Sequence, residues 1–361
     1  MSFKDKYEKK KLYNVYVDKE LPYYSIDNNI LPLNNIHLSD YKIINNNCTS
    51  EFVNNKLWAH LHCFNIDLFG EIYGEYILNI MKYFNIVITY CEGNKIPELE
   101  VSIIKSQNKG MDIGPKFIMI HFLNNNNIHY DFILFLHSKS YKVSRKIYFQ
   151  KMLSNLTETV KKLNNNYGVY TINLLKRESN NWDTCNFHMK HAIKTMKLSN
   201  CNYVFPEGNI YILHKSVADY IYDNRFDHYK HLNQSNSFDY SWFMYYYGFY
   251  KQQNKIDYQT AYKIYIDKNL YGNNLEASKN NDLLLRDAMI EHVFERIIFS
   301  VCGLMKKKIK ILSFDNNKNQ KLNDYIFNIN SNIPKPNFIT DRRTYFRSKK
   351  YKEFTIYYSH N

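Results

Sequence analysis

Tyr130-Asp131-Phe132-Ile133-Leu134-Phe135-Leu136-His137-Ser138-Lys139-Ser140 decides the reading of this chain. Five consecutive apolar residues, Phe132–Leu136, are too few for a buried helix. They fit a strand covered on both faces, and they end abruptly in a polar run. The same pattern recurs upstream. Asn85–Tyr90 reads Asn-Ile-Val-Ile-Thr-Tyr, rich in β-branched residues, and Leu57–Phe64 and Leu99–Lys105 also have strand character. Between these runs the period changes. Leu68, Ile72, Tyr76, Ile80 and Tyr83 recur at helical spacing across Asp67–Tyr83. Ile113–Leu123 reads as a helix with Gly114-Pro115 in its first turn, where proline is tolerated. Downstream, Val143–Leu163 predicts a long helix and Tyr167–Asn173 a strand.

Strands alternating with helices predict an α/β fold, a Rossmann-like and mostly parallel sheet flanked by helices, with a more helical C-terminal half. In such sheets ligands bind outside the carboxyl ends of the strands. Three loops therefore become candidates: Cys63–Asp67, Ser106–Asp112 and His137–Tyr141. In the second half, Cys185–Leu198, Lys215–Tyr222 and Asp239–Phe249 have helical character. Val204–Leu213 turns at Pro206-Glu207-Gly208 into a strand, and Leu283–Leu304 is the clearest helix. The expected organisation is an N-terminal extension over 1–56, an α/β domain over 57–304 and a basic tail over 305–361. The domain divides into two halves, 57–173 and 174–304.

The hydrophobic fraction of 45% excludes a disordered chain, because enough apolar area exists to offset the entropy of ordering. A net charge of +14 suits anionic partners, but the positive charge is diffuse and densest at the termini. The abundance of Lys, Asn, Ile and Tyr also fits an AT-rich genome. Nucleic acid is a disfavoured partner: no nucleic-acid motif is present, and the scattered tyrosines suit core packing better than a stacking platform. Of six cysteines, none forms a C-x-x-C pair or a zinc-like spacing with histidine. Cys63, Cys91 and Cys302 lie in apolar surroundings and read as small core residues. The charged N-terminus lacks an apolar leader, and no run approaches the roughly 18 apolar residues of a membrane span. These features predict a cytoplasmic, reducing location.

Five segments can carry chemistry. The first is Ser106–Pro115, between a strand and a helix. Gly110 permits a left-handed turn, Asn108 and Asp112 can bind sugar hydroxyls, and the amides at the helix start can bind phosphate. Asp112 reads equally as a helix N-cap and Asn108 as a turn residue. The second is His137-Ser138-Lys139. Lys139 can neutralise a pyrophosphate, and His137 can donate to phosphate or instead satisfy a local carbonyl. The third is the helix face carrying Glu291, His292, Glu295 and Arg296. Two carboxylates one turn apart beside a histidine can act as general base, or form a solvated salt-bridge face. The fourth and fifth are Phe205–Asn209 and Phe238–Phe243. Glu207 and Asp239 are candidate bases there, or a turn residue and an N-cap.

Taken in order, these segments resemble the rhamnan synthesis protein F family over roughly residues 57–300. The marks are His60-Leu61-His62, Asn108-Lys109-Gly110-Met111-Asp112-Ile113, Leu136-His137-Ser138-Lys139, Phe205-Pro206-Glu207-Gly208 and Glu291-His292-Val293-Phe294-Glu295-Arg296. Where the family commonly has Asn-x-Gly-Arg-Asp, this chain has Met111 in place of the arginine. The resemblance implies a GT-A-type glycosyltransferase. It would use a nucleotide-sugar donor, rhamnose among the possible sugars, and a glycan hydroxyl as acceptor. Such enzymes hold a divalent metal, Mn or Mg, on an Asp-x-Asp after a buried strand. The corresponding strand here ends in His137-Ser138-Lys139. Three readings stay open: Lys139 supplies part of the metal's charge, metal binds elsewhere, or the chain is an inactive glycan-binding or scaffold protein. The expected roles are donor binding by Asn108, Gly110, Asp112, His137, Ser138 and Lys139. The acceptor's base would be one of Glu207, Asp239, Glu291 or Glu295, with His292 beside the last two.

Overall fold

The computed structural model describes residues 41–45, 56–106, 110–138, 142–172, 174–176, 196–198, 204–224, 260, 263–264, 290–312 and 323–325. In chain order its strands are β1 (Lys42–Asn45), β2 (Leu57–Asn65), β3 (Asn85–Glu92), β4 (Ser102–Lys105), β5 (Phe132–His137), β6 (Tyr167–Thr171), β7 (Leu174–Lys176), β8 (Val204–Pro206), β9 (Tyr211–His214), β10 (Lys308–Ile311) and β11 (Asn323–Tyr325). The helices are α1 (Phe69–Tyr73), α2 (Ile77–Met81), α3 (Ile113–Asn125), α4 (Lys142–Leu153), α5 (Leu156–Lys161), α6 (Lys215–Asp223) and α7 (Ile290–Leu304).

Nine strands form one mixed, mostly parallel sheet in the order β1-β4-β3-β2-β5-β9-β6-β10-β11, and β7 pairs with β8 separately. The α/β class expected from the alternating pattern is therefore present. β2 lies between β3 and β5 and is parallel to both, which puts His62 opposite Thr89 on one side and His137 on the other. The chain builds β3 and β4 outward from β2, then returns to place β5 on its other side. In this 4-3-2-5 order the direction of sheet growth reverses between β2 and β5, which leaves a crevice at their carboxyl ends.

β9 is antiparallel to both its neighbours, β5 and β6. Its reversed direction brings its amino end to the edge where the parallel strands have their carboxyl ends. Phe135 pairs with Tyr211, so continuing the register sets the turn Glu207–Asn209 beside His137. The sheet also takes in β10, parallel to β6, with β11 antiparallel at its edge, and β1 antiparallel to β4 at the other end.

The helices cover the two faces differently. Ala59, Leu61, Cys63, Ile86, Ile88, Leu134 and Leu136 join residues of α1, α2, α4 and α5 in one apolar cluster. Full burial of each of the leucine and isoleucine side chains contributes roughly 1.5–3 kcal/mol. The other face receives α3, α6 and α7, with Phe117 of α3 edge-on to Phe294 of α7 at 4.9 Å. α3 is apolar on every side because sheet and helices surround it; Lys116 is its buried exception. Pro115 sits in its first turn, where an amide has no intrahelical acceptor, as expected.

Two predicted helices are divided. Asp67–Tyr83 becomes a 3-10 turn plus α1 and α2, split where Tyr76 N donates to Tyr73 O at 2.8 Å. Gly70 and Gly74 weaken that stretch. Val143–Leu163 becomes α4 and α5, separated at Ser154-Asn155, whose side chains favour turns over helix interiors. Most of Cys185–Leu198, and all of Asp239–Phe249, lie outside the described residues.

Candidate functional site

The site grows from the left-handed turn at the start of α3. Gly110 has φ 75° and Met111 φ 50°. A positive φ is uncommon for a residue other than glycine, so this turn is held by its surroundings. The amides of Ile113 and Gly114 both donate to Gly110 O at 2.9 Å, and Pro115 has no amide. Those first-turn amides are thus committed within the turn, which corrects the expectation that they hold phosphate.

Asp112 occupies the N-cap position of α3 but makes no capping hydrogen bond. Its Oδ2 instead lies 3.3 Å from His137 Nε2 and accepts from Asn209 Nδ2. The N-cap alternative for Asp112 does not hold. His137 Nε2 also lies 2.9 Å from Gly208 O. A carbonyl only accepts, so Nε2 carries the proton and donates. His137 therefore satisfies a carbonyl, but one 71 residues away in sequence. The next turn is fastened at both ends. Tyr148 OH donates to Glu207 Oε1 at 3.0 Å, and Lys116 Nζ donates to Asn209 O at 2.7 Å and to Tyr211 OH at 3.0 Å. The ammonium also sits 4.2 Å from the centre of the Tyr211 ring.

Beneath lies a row of polar groups on alternate strand positions. His60 Nε2 and His62 Nδ1 meet Thr89 Oγ1 at 2.7 and 3.0 Å. The one hydroxyl proton serves one ring, and the other ring donates to the oxygen. Burial holds the His60 pKa well below its usual value, reinforced by His62, Lys116 and His137. Burial likewise lowers His62 to about 4, against the opposing pull of Asp112. Both rings are neutral at pH 7. Burial raises Tyr211, helped by the nearby charges of Asp112 and Glu295.

The other loops after the strands serve as braces. Ser138 N donates to His62 O at 2.8 Å, and its Oγ accepts from Phe64 N at 3.0 Å, tying β5 to β2. Asp67 accepts from Asn94 N and Lys95 N at 2.8 and 2.7 Å, and these amides hold its carboxyl below the usual range. Gly93, with φ 92°, lets that loop approach; a Cβ there would stand 2.5 Å from Asn65 Oδ1.

The structure thus gathers Gly110, Asp112, His137, Ser138 and Glu207 at one sheet edge. Glu291 is buried and Glu295 half-buried on α7, and Glu295 is close enough to act on Tyr211. Arg296 is buried, with its guanidinium 5.5 Å from the Phe205 ring. Burial of Glu291 and Arg296 removes the solvated salt-bridge reading of this face: β8 packs against it. Asn108, Lys139 and Asp239, and the side chain of His292, lie outside the described residues. Lys116, Asn209, Tyr148, His62 and Thr89 were not assigned roles from sequence. Two signals pointed to some of them: a lone lysine in the apolar run Ile113–Leu123, and two histidines at strand period in His60-Leu61-His62.

Among the described cysteines, burial pushes Cys63 up to about 12, Cys91 to about 11 and Cys302 well above the usual thiol range, so these three favour the thiol form. Among the described residues, no group of three or more His, Cys, Asp and Glu side chains is set to hold a metal ion. Nor is any described helix long and apolar enough to cross a membrane. Comparisons of the chain with protein-family models, curated proteins and solved structures found no match.

Proposed function

We propose that this chain is a glycosyltransferase that moves a sugar from a nucleotide-sugar donor to a hydroxyl of a glycan. The observation that carries the reading is the meeting of Asp112, His137, Glu207 and Asn209 at the crevice where sheet growth reverses between β2 and β5. The GT-A-like form of that reading is supported by the 4-3-2-5 strand order and by antiparallel β9 inserted between parallel β5 and β6.

In this proposal Asp112 orients the donor, and Asn108, Gly110 and Lys139 contribute to binding it. Lys139 supplies positive charge where the diphosphate leaves, because charge develops there in the transition state. His137 is a positioning residue, since its Nε2–H is spent on Gly208 O. Glu207, oriented by Tyr148, is the strongest of the proposed acceptor bases, with Glu295 and Glu291 on the adjoining helix and His292 and Asp239 as further candidates. The described donors do not fit a divalent-metal site, because Asp112 accepts from Asn209 and His137 donates to Gly208 O, both in the 207–209 turn. No step is routed through metal.

The test is a thermal-shift screen of nucleotide sugars with and without Mn²⁺, followed by turnover assays. A selective shift names the nucleotide. Asp112→Ala and Lys139→Ala should each lower transfer or donor hydrolysis by about 100-fold or more while the far-ultraviolet spectrum is unchanged. Full activity in both variants rejects the site. Binding of glycans without any donor turnover would favour the second reading, an inactive glycan-binding protein of the same fold, which rests on the missing Asp-x-Asp.

A further inference from the structure

Asn209 is held more tightly than a turn residue requires. Its backbone is left-handed at φ 58°, directly after Gly208 at φ 75°. Its carbonyl receives the Lys116 ammonium and its Nδ2 donates to Asp112. A carboxylate oxygen only accepts, so the Asp112 contact fixes which end of the amide points where. The nitrogen faces Asp112, and Oδ1 faces the other way. Asn209 is 3% exposed, and Oδ1 is buried with no hydrogen-bond partner. An acceptor left in that state is destabilising, and a donor from a ligand would recover the loss.

The neighbouring groups share its character. Asp112 and Glu207 also present oxygens that accept. Three acceptor side chains clustered beside the crevice, with the nearby Lys116 ammonium already donating to Asn209 O and Tyr211 OH, disfavour phosphate oxygens and suit hydroxyl protons. We infer that Asn209 Oδ1, together with Asp112, forms a subsite for the ring hydroxyls of a sugar, on the donor's pyranose or its ribose, and not for the diphosphate. This assigns Asn209 as a specificity-determining residue and rests on the strand-end crevice being the donor site.

The probes are UDP, GDP, ADP and CDP with their 2′,3′-dideoxy counterparts, and glucose with 2-deoxyglucose and 3-deoxyglucose. Affinities for the full chain are read by calorimetry. At least one hydroxylated probe should bind about tenfold or more tightly than its deoxy partner, because the deoxy form leaves a buried acceptor unpaired. Asn209→Gly keeps the left-handed backbone and should bind both members of that pair alike. Equal affinities for every pair on the unmodified chain, or no binding by any hydroxylated probe, overturns the subsite; this arm does not depend on whether the variant folds. The outcomes separate the two proposals. Nucleotide-sugar turnover with no discrimination against deoxy probes removes the subsite and leaves the transferase reading. Glucose binding lost in Asn209→Gly, with no nucleotide bound, keeps the subsite and removes the nucleotide-sugar donor.

Discussion

The two faces of the sheet are made by the same strands and do opposite things. On β2, Ala59, Leu61 and Cys63 point into an apolar cluster with α1, α2, α4 and α5. One residue out of step, His60 and His62 point to the opposite face, where they meet Thr89 while Phe135 and Tyr211 pack beside Lys116. The first face stabilises the fold through apolar area. The second spends part of that stability on neutral histidines, a buried ammonium and left-handed turns, and it ends at the candidate site. Most polar groups on this face are bonded, and those bonds also rigidify the edge where a ligand would bind.

The comparison breaks first on the apolar side. Leu134→Ala removes a fully buried side chain and should cost about 2–5 kcal/mol by urea unfolding, with ligand affinity of the folded fraction unchanged. A loss of affinity without a loss of stability would mean that the faces are not separate in role.

Acid should attack only the polar side. The His62 pKa is about 4 in the folded chain against an ordinary 6.5. Between those values the unfolded state binds the extra proton, so stability falls as pH drops from about 6.5 to 4, by on the order of 3 kcal/mol, and this contribution falls no further below that. His62→Gln should make that part of the pH profile shallower without removing it, because burial also lowers His60 and takes His214 to about 4; an unchanged profile would place the titration elsewhere.

Lys116→Met keeps the volume of the side chain but leaves Asn209 O and Tyr211 OH without their donor. A cost of roughly 2–3 kcal/mol is expected, together with loosened ligand binding as the 207–209 turn is released. A more stable variant with unchanged binding would make Lys116 dispensable. Gly208→Ala should cost about 1–2 kcal/mol, because φ is 75° and its Cβ would stand 3.0 Å from the Tyr148 ring. Lys142→Ala, an exposed partner of Glu71, should leave the melting temperature unmoved and so serve as the surface control.

Much of the fold is written in local pattern. The five apolar residues of β5, the β-branched run of β3 and the apolar α3 with its early proline each satisfy a period that chemistry alone imposes, so the α/β class follows from them. Helix breaks were less legible, since spacing alone does not reveal where Gly74 or Asn155 interrupts a repeat. Gly110, Asp112 and His137 were legible as candidate-site residues because strand-end loops are where such sheets bind ligands. Asp112's partner was not, for it lies 97 residues further on.

Sequence by itself determined that strands alternate with helices, that a polar run follows β5, and that Gly110 could turn left-handed. The tertiary structure alone decided what those groups touch. It reversed β9, which carried Glu207, Gly208 and Asn209 to the edge beside His137, and it buried Lys116 and Arg296. The reason is physical. Periodicity reports which side of an element avoids water, a property of neighbours in sequence. Strand direction and buried polar pairing depend on contacts between residues far apart in the chain, and no local pattern encodes them.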